Sequence, residues 1–372
     1  MFLNCKICHI LSVNTYTNKI KGVKVEKIVL TGGGTAGHIY PTLAIKKELG
    51  KNFEYHYLGG KGMEKDIIAQ EKDVVYHEIP TVKLQRKLTF DNFLIPFKLI
   101  NSINKAKNIL KEINPSIIFS KGGFVAVPVV IAAHKLGIPI ISHESDLSTG
   151  LANKIILKYC NVMCVTFEQT AKMSEKCVWT GQPIRETVLK GNKKNINFEN
   201  LDKSKPNLLV LGGSLGAKFI NEKVWVNIDK LTRQFNVLHV CGKQSKEKIV
   251  HAGYKQVEYA ENIGDYLAFA DIILSRAGSG AINEFLALKK PMLLIPLSKK
   301  CSRGDQIENA KLFTKLGYAD MIEEENCDDK MFLIKLKNVY NNREKFINKM
   351  KNVNIINSNA KIAKIIVENI KK

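Results

Sequence analysis

Negative charge is scarce in this chain. Asp and Glu number 35 against 57 Lys and Arg in 372 residues, a formal net charge of +22. Such a surplus favours anionic company: a phosphorylated substrate, an acidic membrane surface or nucleic acid. No apolar run approaches the ~20 residues that a bilayer-spanning helix needs, which excludes a transmembrane helix. The opening "MFLNCKICHILSVNTYTNKIKGVK" lacks a small-residue cleavage site, and Lys6 and His9 break its apolar run. It makes a poor signal peptide, so residues 1–23 are expected to be a mobile leader. The eight cysteines are scattered, which argues for reduced thiols rather than a disulfide framework. Cys5, Cys8 and His9 could begin a metal site, but no second pair completes it.

What is present is ordinary globular composition, 45% hydrophobic and 25% charged, at a length that one core rarely serves. Short apolar runs ending in Gly or a polar residue ("KIVLTGGG", "EYHYLGG", "SIIFSKGG", "IPIISHES", "VMCVTFE") alternate with amphipathic stretches such as 41–50 and 97–113. After the polar, lysine-rich "GNKKNINFENLDKSK" the arrangement restarts with "NLLVLGGSLGAKFIN", then "FNVLHVCG", "ADIILSRAG" and "PMLLIPL". Strands separated by helices imply parallel sheets covered on both faces. The fold expected is α/β: two doubly wound Rossmann-like domains with parallel sheets facing a cleft. Residues 24–188 form the first domain, 189–205 a linker or loop, and 206–372 the second, with the last helix returning to the first domain. Ligands in such sheets sit beyond the carboxyl ends of the strands, here in the cleft.

"IVLTGGGTAGHIYP" contains Gly-x-Gly-x-x-Gly at Gly32, Gly34 and Gly37, a dinucleotide fingerprint. A nicotinamide site also needs an acid at the end of the second strand, to hold the adenosine ribose. That strand ends in Leu58-Gly59-Gly60, with Glu54 at its start and Glu64 four residues past the glycine pair. A dehydrogenase is therefore disfavoured, while a glycine turn opening a helix still offers N–H groups and a positive dipole end to an anion. His38 follows the last glycine of the turn. Two readings stand: a helix N-terminal hydrogen-bonding residue, or a neutral imidazole facing the cleft as a general base. In "SRAGSGAINEF", Glu284 lies in the first turn of a helix; three residues back is Ala281, without a hydroxyl, so no capping box forms. A dipole-stabilising glutamate or a carboxylate for two ribose hydroxyls remain.

Together "GGGTAGHIYPTLAI", "SKGGFVAVP", "HESDLSTGLANK", "TGQPIRE", "GGSLGAKFIN", "SRAGSGAINEFLALKKPMLLIP" and "SRGDQIENA" resemble the ordered motif set of the MurG family, the murein N-acetylglucosaminyltransferases of bacterial cell-wall synthesis. The resemblance runs from about Lys24 to near the C-terminus. It implies a GT-B fold and inverting transfer of N-acetylglucosamine from UDP-N-acetylglucosamine to the muramyl 4-hydroxyl of lipid I, giving lipid II. It further implies His38 as base, Glu144 as a second polar group near the reacting hydroxyl, and Thr35, Ala36 and Gly37 beside the donor sugar and phosphate. For the donor it implies Arg185 and Ser214 at the diphosphate and Ile263 by the uracil. Ser279, Gly280, Ala281, Ile282, Asn283 and Glu284 would hold the nucleotide, with Glu284 on the ribose, and Gln306 and Asn309 would address sugar hydroxyls. The chain contains no Asp-x-Asp, so no metal-bridged diphosphate and no cofactor are expected; helix N-termini and Arg185 would stabilise the leaving group.

Two positions depart from the family pattern. His143-Glu144-Ser145-Asp146 stands where His-Glu-Gln-Asn is usual, so Asp146 brings a carboxylate for an amide, and Phe124 replaces a tyrosine. In "TVKLQRKLTFDNFLIPFKLI", Leu84, Leu88, Phe90, Phe93, Leu94 and Phe97 are ringed by Lys83, Arg86, Lys87 and Lys98. This suits a monotopic contact with anionic lipid, the alternative being a core helix with a basic edge. The expected partners are the lipid-linked acceptor, the anionic cytoplasmic face of the cell membrane and other cell-wall synthesis proteins, with no nucleic acid. Competing functions are a GT-B enzyme with a diacylglycerol acceptor and a non-catalytic sugar-nucleotide-binding subunit.

Overall fold

The computed structural model describes residues 25–81, 95–199, 201–213, 216–242, 245, 248–353 and 357–370. Among them are two all-parallel sheets. The first holds β1 (Lys27–Thr31), β2 (Glu54–Gly59), β3 (Val74–Glu78), β4 (Ile117–Ser120), β5 (Ile140–Glu144), β6 (Val162–Val165) and β7 (Cys177–Trp179), in the order β3-β2-β1-β4-β5-β6-β7. The second holds β8 (Asn207–Leu211), β9 (Asn236–Val240), β10 (Tyr254–Val257), β11 (Ile272–Ser275), β12 (Met292–Leu294) and β13 (Asp320–Met321), in the order β10-β9-β8-β11-β12-β13. In each, the strand order reverses beside the opening strand, between β1 and β4 and between β8 and β11. That is where doubly wound sheets bind ligands.

The helices of the first half are α1 (Ala36–Leu49), α2 (Met63–Ile68), α3 (Ile95–Ile113), α4 (Ala126–Lys135), α5 (Leu151–Tyr159), α6 (Glu168–Ala171) and α7 (Glu186–Leu189). Those of the second are α8 (Lys218–Val226), α9 (Ile228–Thr232), α10 (Ile263–Phe269), α11 (Ser279–Ala287), α12 (Asp305–Leu316), α13 (Asp329–Asn341), α14 (Arg343–Lys351) and α15 (Ser358–Glu368). Central strands form because their residues are buried on both faces: Ile28, Val29, Leu30, Ile117, Ile118 and Phe119 are fully enclosed, as are Leu208, Leu209 and Val210. α1 begins at Ala36, five residues before Pro41. Pro41 stands inside α1 as its sixth residue, so it leaves the Gly37 carbonyl without the helical bond that another residue would supply.

Two segments cross between the sheets. Phe167, Ile184 and Val188 join the core beneath the second sheet, and Phe167 meets Phe313 edge to face at 6.4 Å. In return, Ile362 and Ile366 of α15 pack with Ile28, Leu30 and Ile39 of the first. Asn359 clips these crossings together, its Nδ2 donating to the Ile184 carbonyl (2.8 Å) and its Oδ1 accepting from the Ile184 N–H (3.0 Å). Replacing Asn359 by Ala strands both backbone groups of Ile184 in a partly buried crossing. We expect a loss of about 1–3 kcal/mol in denaturant-induced unfolding, and a loss under ~0.5 kcal/mol would show the clip to be dispensable.

Candidate active site

β1 pairs with β4 so that Thr31 lies beside Ser120, which brings the turns 32–34 and 121–123 edge to edge. Gly123 has φ +83°, and a Cβ there would stand 2.8 Å from the Gly33 carbonyl oxygen; only glycine permits this approach. Beneath the turns lies a buried carboxylate. Glu64 Oε1 accepts from the Gly60 N–H (3.0 Å) and Oε2 from the Gly34 N–H (3.4 Å). A negative charge fixed behind the turn disfavours the pyrophosphate that a dinucleotide site would bind there.

His38, half-buried in the first turn of α1, lies 3.1 Å by its Nδ1 from the Lys121 carbonyl oxygen. A carbonyl only accepts, so Nδ1 carries the proton and Nε2 keeps its lone pair. Burial, then the charge of Lys121, pushes its pKa down to about 4, with the backbone bond and Glu64 opposing. The imidazole is neutral at neutral pH. Thr35, Ala36 and Gly37 line the open side of the same turn.

Glu144 is buried, and its two oxygens accept from the Asp146 N–H (3.0 Å), the Gly150 N–H (3.2 Å) and Asn153 Nδ2 (3.0 Å). Its carboxylate shapes the 144–150 loop instead of reaching outward. Burial raises its pKa, with Asp146 adding to the effect. His143 donates Nε2–H to the Gly181 carbonyl (2.9 Å), and burial keeps it neutral. Asp146 crosses the cleft: Oδ1 accepts from Asn309 Nδ2 (3.1 Å) and Oδ2 from Arg303 (2.9 Å). Phe124 packs on the first core.

On the opposite wall α11 points its N-terminus at this loop, Ser279 Oγ–H donating to the Ser145 carbonyl. Glu284 Oε1 accepts from Arg185 Nη2 (3.0 Å) and Nε (3.3 Å), while the guanidinium lies 4.6 Å from the Tyr40 ring centroid. Burial raises the Glu284 pKa, and Arg185 opposes this. Tyr40 Oη lies 3.3 Å from Tyr259 Oη across the cleft. Gly280 and Ala281 are partly open beside Ser279, whereas Ile282 and Asn283 face inward, Asn283 Nδ2 donating to the Ser279 carbonyl (2.8 Å). Gln306 accepts from the Leu297 N–H (3.0 Å), and the fully buried Asn309 also accepts from the Leu147 N–H (3.1 Å). Both amides thus serve loops in this state. Ile263 opens α10, partly buried against the second core.

Ser214, Leu84, Leu88, Phe90, Phe93 and Leu94 lie outside the described residues, as do residues 1–23. Phe97, on α3, is 71% exposed. Among the described residues no three His, Cys, Asp or Glu side chains group so as to hold a metal ion. Sequence reasoning missed Lys121, Tyr40 and Arg303. Lys121 had a signal: a lysine between a buried strand and two glycines is placed where its charge has little access to water.

The model of the glycosyltransferase family 28 N-terminal domain matches residues 28–165, and that of the family's C-terminal domain matches residues 207–366. A protein of Clostridium tetani (strain Massachusetts / E88) named "UDP-N-acetylglucosamine--N-acetylmuramyl-(pentapeptide) pyrophosphoryl-undecaprenol N-acetylglucosamine transferase" is 49% identical over 340 residues, 88% of this chain and 93% of its own. A protein of the same name from Clostridium botulinum (strain Alaska E43 / Type E3) is 46% identical over 93% of this chain and 99% of its own. The crystal structure of Acinetobacter baumannii MurG superposes with a TM-score of 0.72 at 23% identity, covering 92% of this chain and 99% of that one, and so shares the fold. The chain therefore belongs to glycosyltransferase family 28, within the MurG group of murein N-acetylglucosaminyltransferases whose motif order it carries.

Proposed function

We propose that this protein transfers N-acetylglucosamine, with inversion, from UDP-N-acetylglucosamine to the muramyl 4-hydroxyl of lipid I, making lipid II for peptidoglycan. The observation that carries the mechanism is the fixed tautomer of His38, which leaves Nε2 free and neutral at the cleft. The 4-hydroxyl gives its proton to Nε2 as its oxygen attacks the anomeric carbon. The bond from that carbon to the β-phosphate oxygen breaks, and UDP leaves with the electron pair. Arg185 and the α11 N-terminus receive the developing charge.

Arg185 is hydrogen-bonded to Glu284, so donor binding is an exchange. Two ribose hydroxyls replace the guanidinium on Glu284, and Arg185, still stacked on Tyr40, turns to the diphosphate. Glu144 serves by holding the 144–150 loop, and Asp146 by holding the opposite wall through Arg303 and Asn309. The protein works from the cytoplasmic face of the membrane as a peripheral protein. No helix among the described residues is long and apolar enough to cross a bilayer. Phe97 and Ile100, 71% and 57% exposed on α3, support an interfacial contact, as does the +22 charge.

Four outcomes are expected. In a radiolabel transfer assay, His38→Ala loses at least ~100-fold in kcat toward lipid I while UDP binding by calorimetry stays within about twofold; unchanged turnover removes His38 from the mechanism, and transfer to diacylglycerol but not to lipid I removes the acceptor assignment. Because His38 acts only when neutral and its pKa is depressed, kcat/KM stays flat as pH falls through 6.5, the ordinary imidazole value, and declines only toward about 4. An acid limb at 6.5 or above contradicts that depression. Glu284→Gln weakens two charge-assisted bonds and raises the donor KM by roughly 10–100-fold; an unchanged KM means the ribose lies elsewhere. For the membrane contact, Phe97→Ser with Ile100→Ser reduces co-sedimentation with anionic liposomes several-fold, and full retention argues against α3 as the contact.

A further inference from the structure

Lys121 has no assigned part in the reaction, yet it touches everything that aligns the base. Its carbonyl accepts from His38 Nδ1–H (3.1 Å). Its ammonium, fully buried, donates to Ser145 Oγ. The Ser145 carbonyl in turn accepts from Ser279 Oγ–H, at the first residue of α11 on the other side of the cleft. A hydrogen-bonded path thus runs His38, Lys121, Ser145, Ser279, from the base to the helix that faces the donor. The next residue, Asp146, is tied to the same wall by Asn309 and Arg303.

A buried ammonium held by a single serine hydroxyl is an expensive way to pack a loop. Three N–H donors need partners, and the charge needs a counter-ion in contact. Neither nearby carboxylate supplies one. The Glu144 oxygens are committed to Asp146, Gly150 and Asn153, and those of Asp146 to Arg303 and Asn309. A methionine would fill the same space at less electrostatic cost. The cation is therefore explained by what it does to its neighbours.

We propose that Lys121 is a positioning residue for the transfer reaction: it fixes the imidazole of His38 on its carbonyl, carries the Ser145 loop on its ammonium, and so couples the alignment of the base to the docking of α11. The proposal rests on His38 being the base. It also accounts for Ser145-Asp146 where the family usually has Gln-Asn. A short hydroxyl receives the lysine, and a carboxylate lies close enough to its field to offset the charge. The groups facing His38 are Lys121, Glu64 of α2 and His143 of β5; those facing Lys121 are Glu144, Asp146 and Cys164. Lys121 lowers the proton affinity of His38, so removing its charge raises it.

The test is a pair of variants read by two methods. In Lys121→Met, the NMR titration of His38 and the acid limb of kcat/KM both move to higher pH. kcat falls roughly tenfold or more, with the donor KM within about twofold. In Ser145→Ala, which cuts the path but keeps the cation, kcat falls while the His38 titration stays at its wild-type position. A wild-type titration and pH profile in Lys121→Met overturns the proposal even if kcat drops, since a purely structural lysine would give that result. If Lys121→Met does not fold, wild-type kcat in Ser145→Ala overturns it alone. Turnover surviving in His38→Ala would sink the base assignment instead, and the His38 titration in Lys121→Met still reports on the lysine independently.

Discussion

The register between β1 and β4 is the constraint from which the site follows. Because Thr31 pairs with Ser120, the two turns that leave these strands must run side by side. Only backbone without a Cβ fits the narrowest point, where Gly123 faces the Gly33 carbonyl. That approach sets the Lys121 carbonyl under the first turn of α1, where the His38 ring meets it. A one-residue slip would point Lys121 to the other face of the sheet and leave His38 without its partner. The His38 ring is thus aligned by the pairing of two strands deep in the first sheet, through the turn that leaves β4.

Around that backbone the chain buries the carboxylates Glu64 and Glu144 and the ammonium of Lys121, none in a contact ion pair with another. Each is instead met by backbone N–H groups or by a neutral polar side chain. Buried charges held this way cost stability that an apolar core would not spend. What they provide is a field: positive at Lys121 beside His38, negative at Glu64 behind the glycine turn. The two act in opposite directions on His38: Lys121 adds to burial in keeping the ring neutral, and Glu64 opposes them. On the other wall the charges are paired across the cleft, Arg185 with Glu284 and Arg303 with Asp146. Such pairs are partly exposed and exchangeable, which suits groups that must let a substrate in.

Much of this was legible in the sequence, for reasons that differ by element. The central strands read as unbroken apolar runs because parallel strands are buried on both faces, so "KIVLT", "SIIFS" and "NLLVL" could be nothing else. The edge or near-edge strands β3, β7, β10 and β13 were not read, because they carry polar or exposed residues such as His77, Trp179 and Lys255 and have little periodicity to show. The first turn of α1 lies outside the amphipathic stretch 41–50, since Ala36 and Gly37 open it without a side-chain cap. His38 and Glu284 were singled out because each sits at a fixed offset from a glycine turn. Lys121 was not, although it lies inside a quoted motif, because its meaning depends on Ser145, 24 residues away. Asn309 was assigned to a sugar hydroxyl on motif grounds, whereas its three polar contacts go to Leu147, Asp146 and Ala277.

That last contrast bears on how the cleft works. Asn309 and Arg303 grip Asp146, Arg185 grips Glu284, and Tyr40 meets Tyr259, so several side chains expected to face substrate make hydrogen bonds to other side chains of the protein. A donor must therefore displace protein–protein bonds one for one, and only the surplus appears as affinity. Such an exchange favours ligands that replace every bond they break. If Glu284 receives the ribose and Arg185 the diphosphate, as proposed, a nucleotide without its diphosphate frees Arg185 from Glu284 and gives it nothing in return, leaving a partly buried guanidinium short of partners. On that proposal the cross-cleft pair favours a complete UDP-sugar, which would meet both Glu284 and Arg185, over fragments that satisfy only one wall.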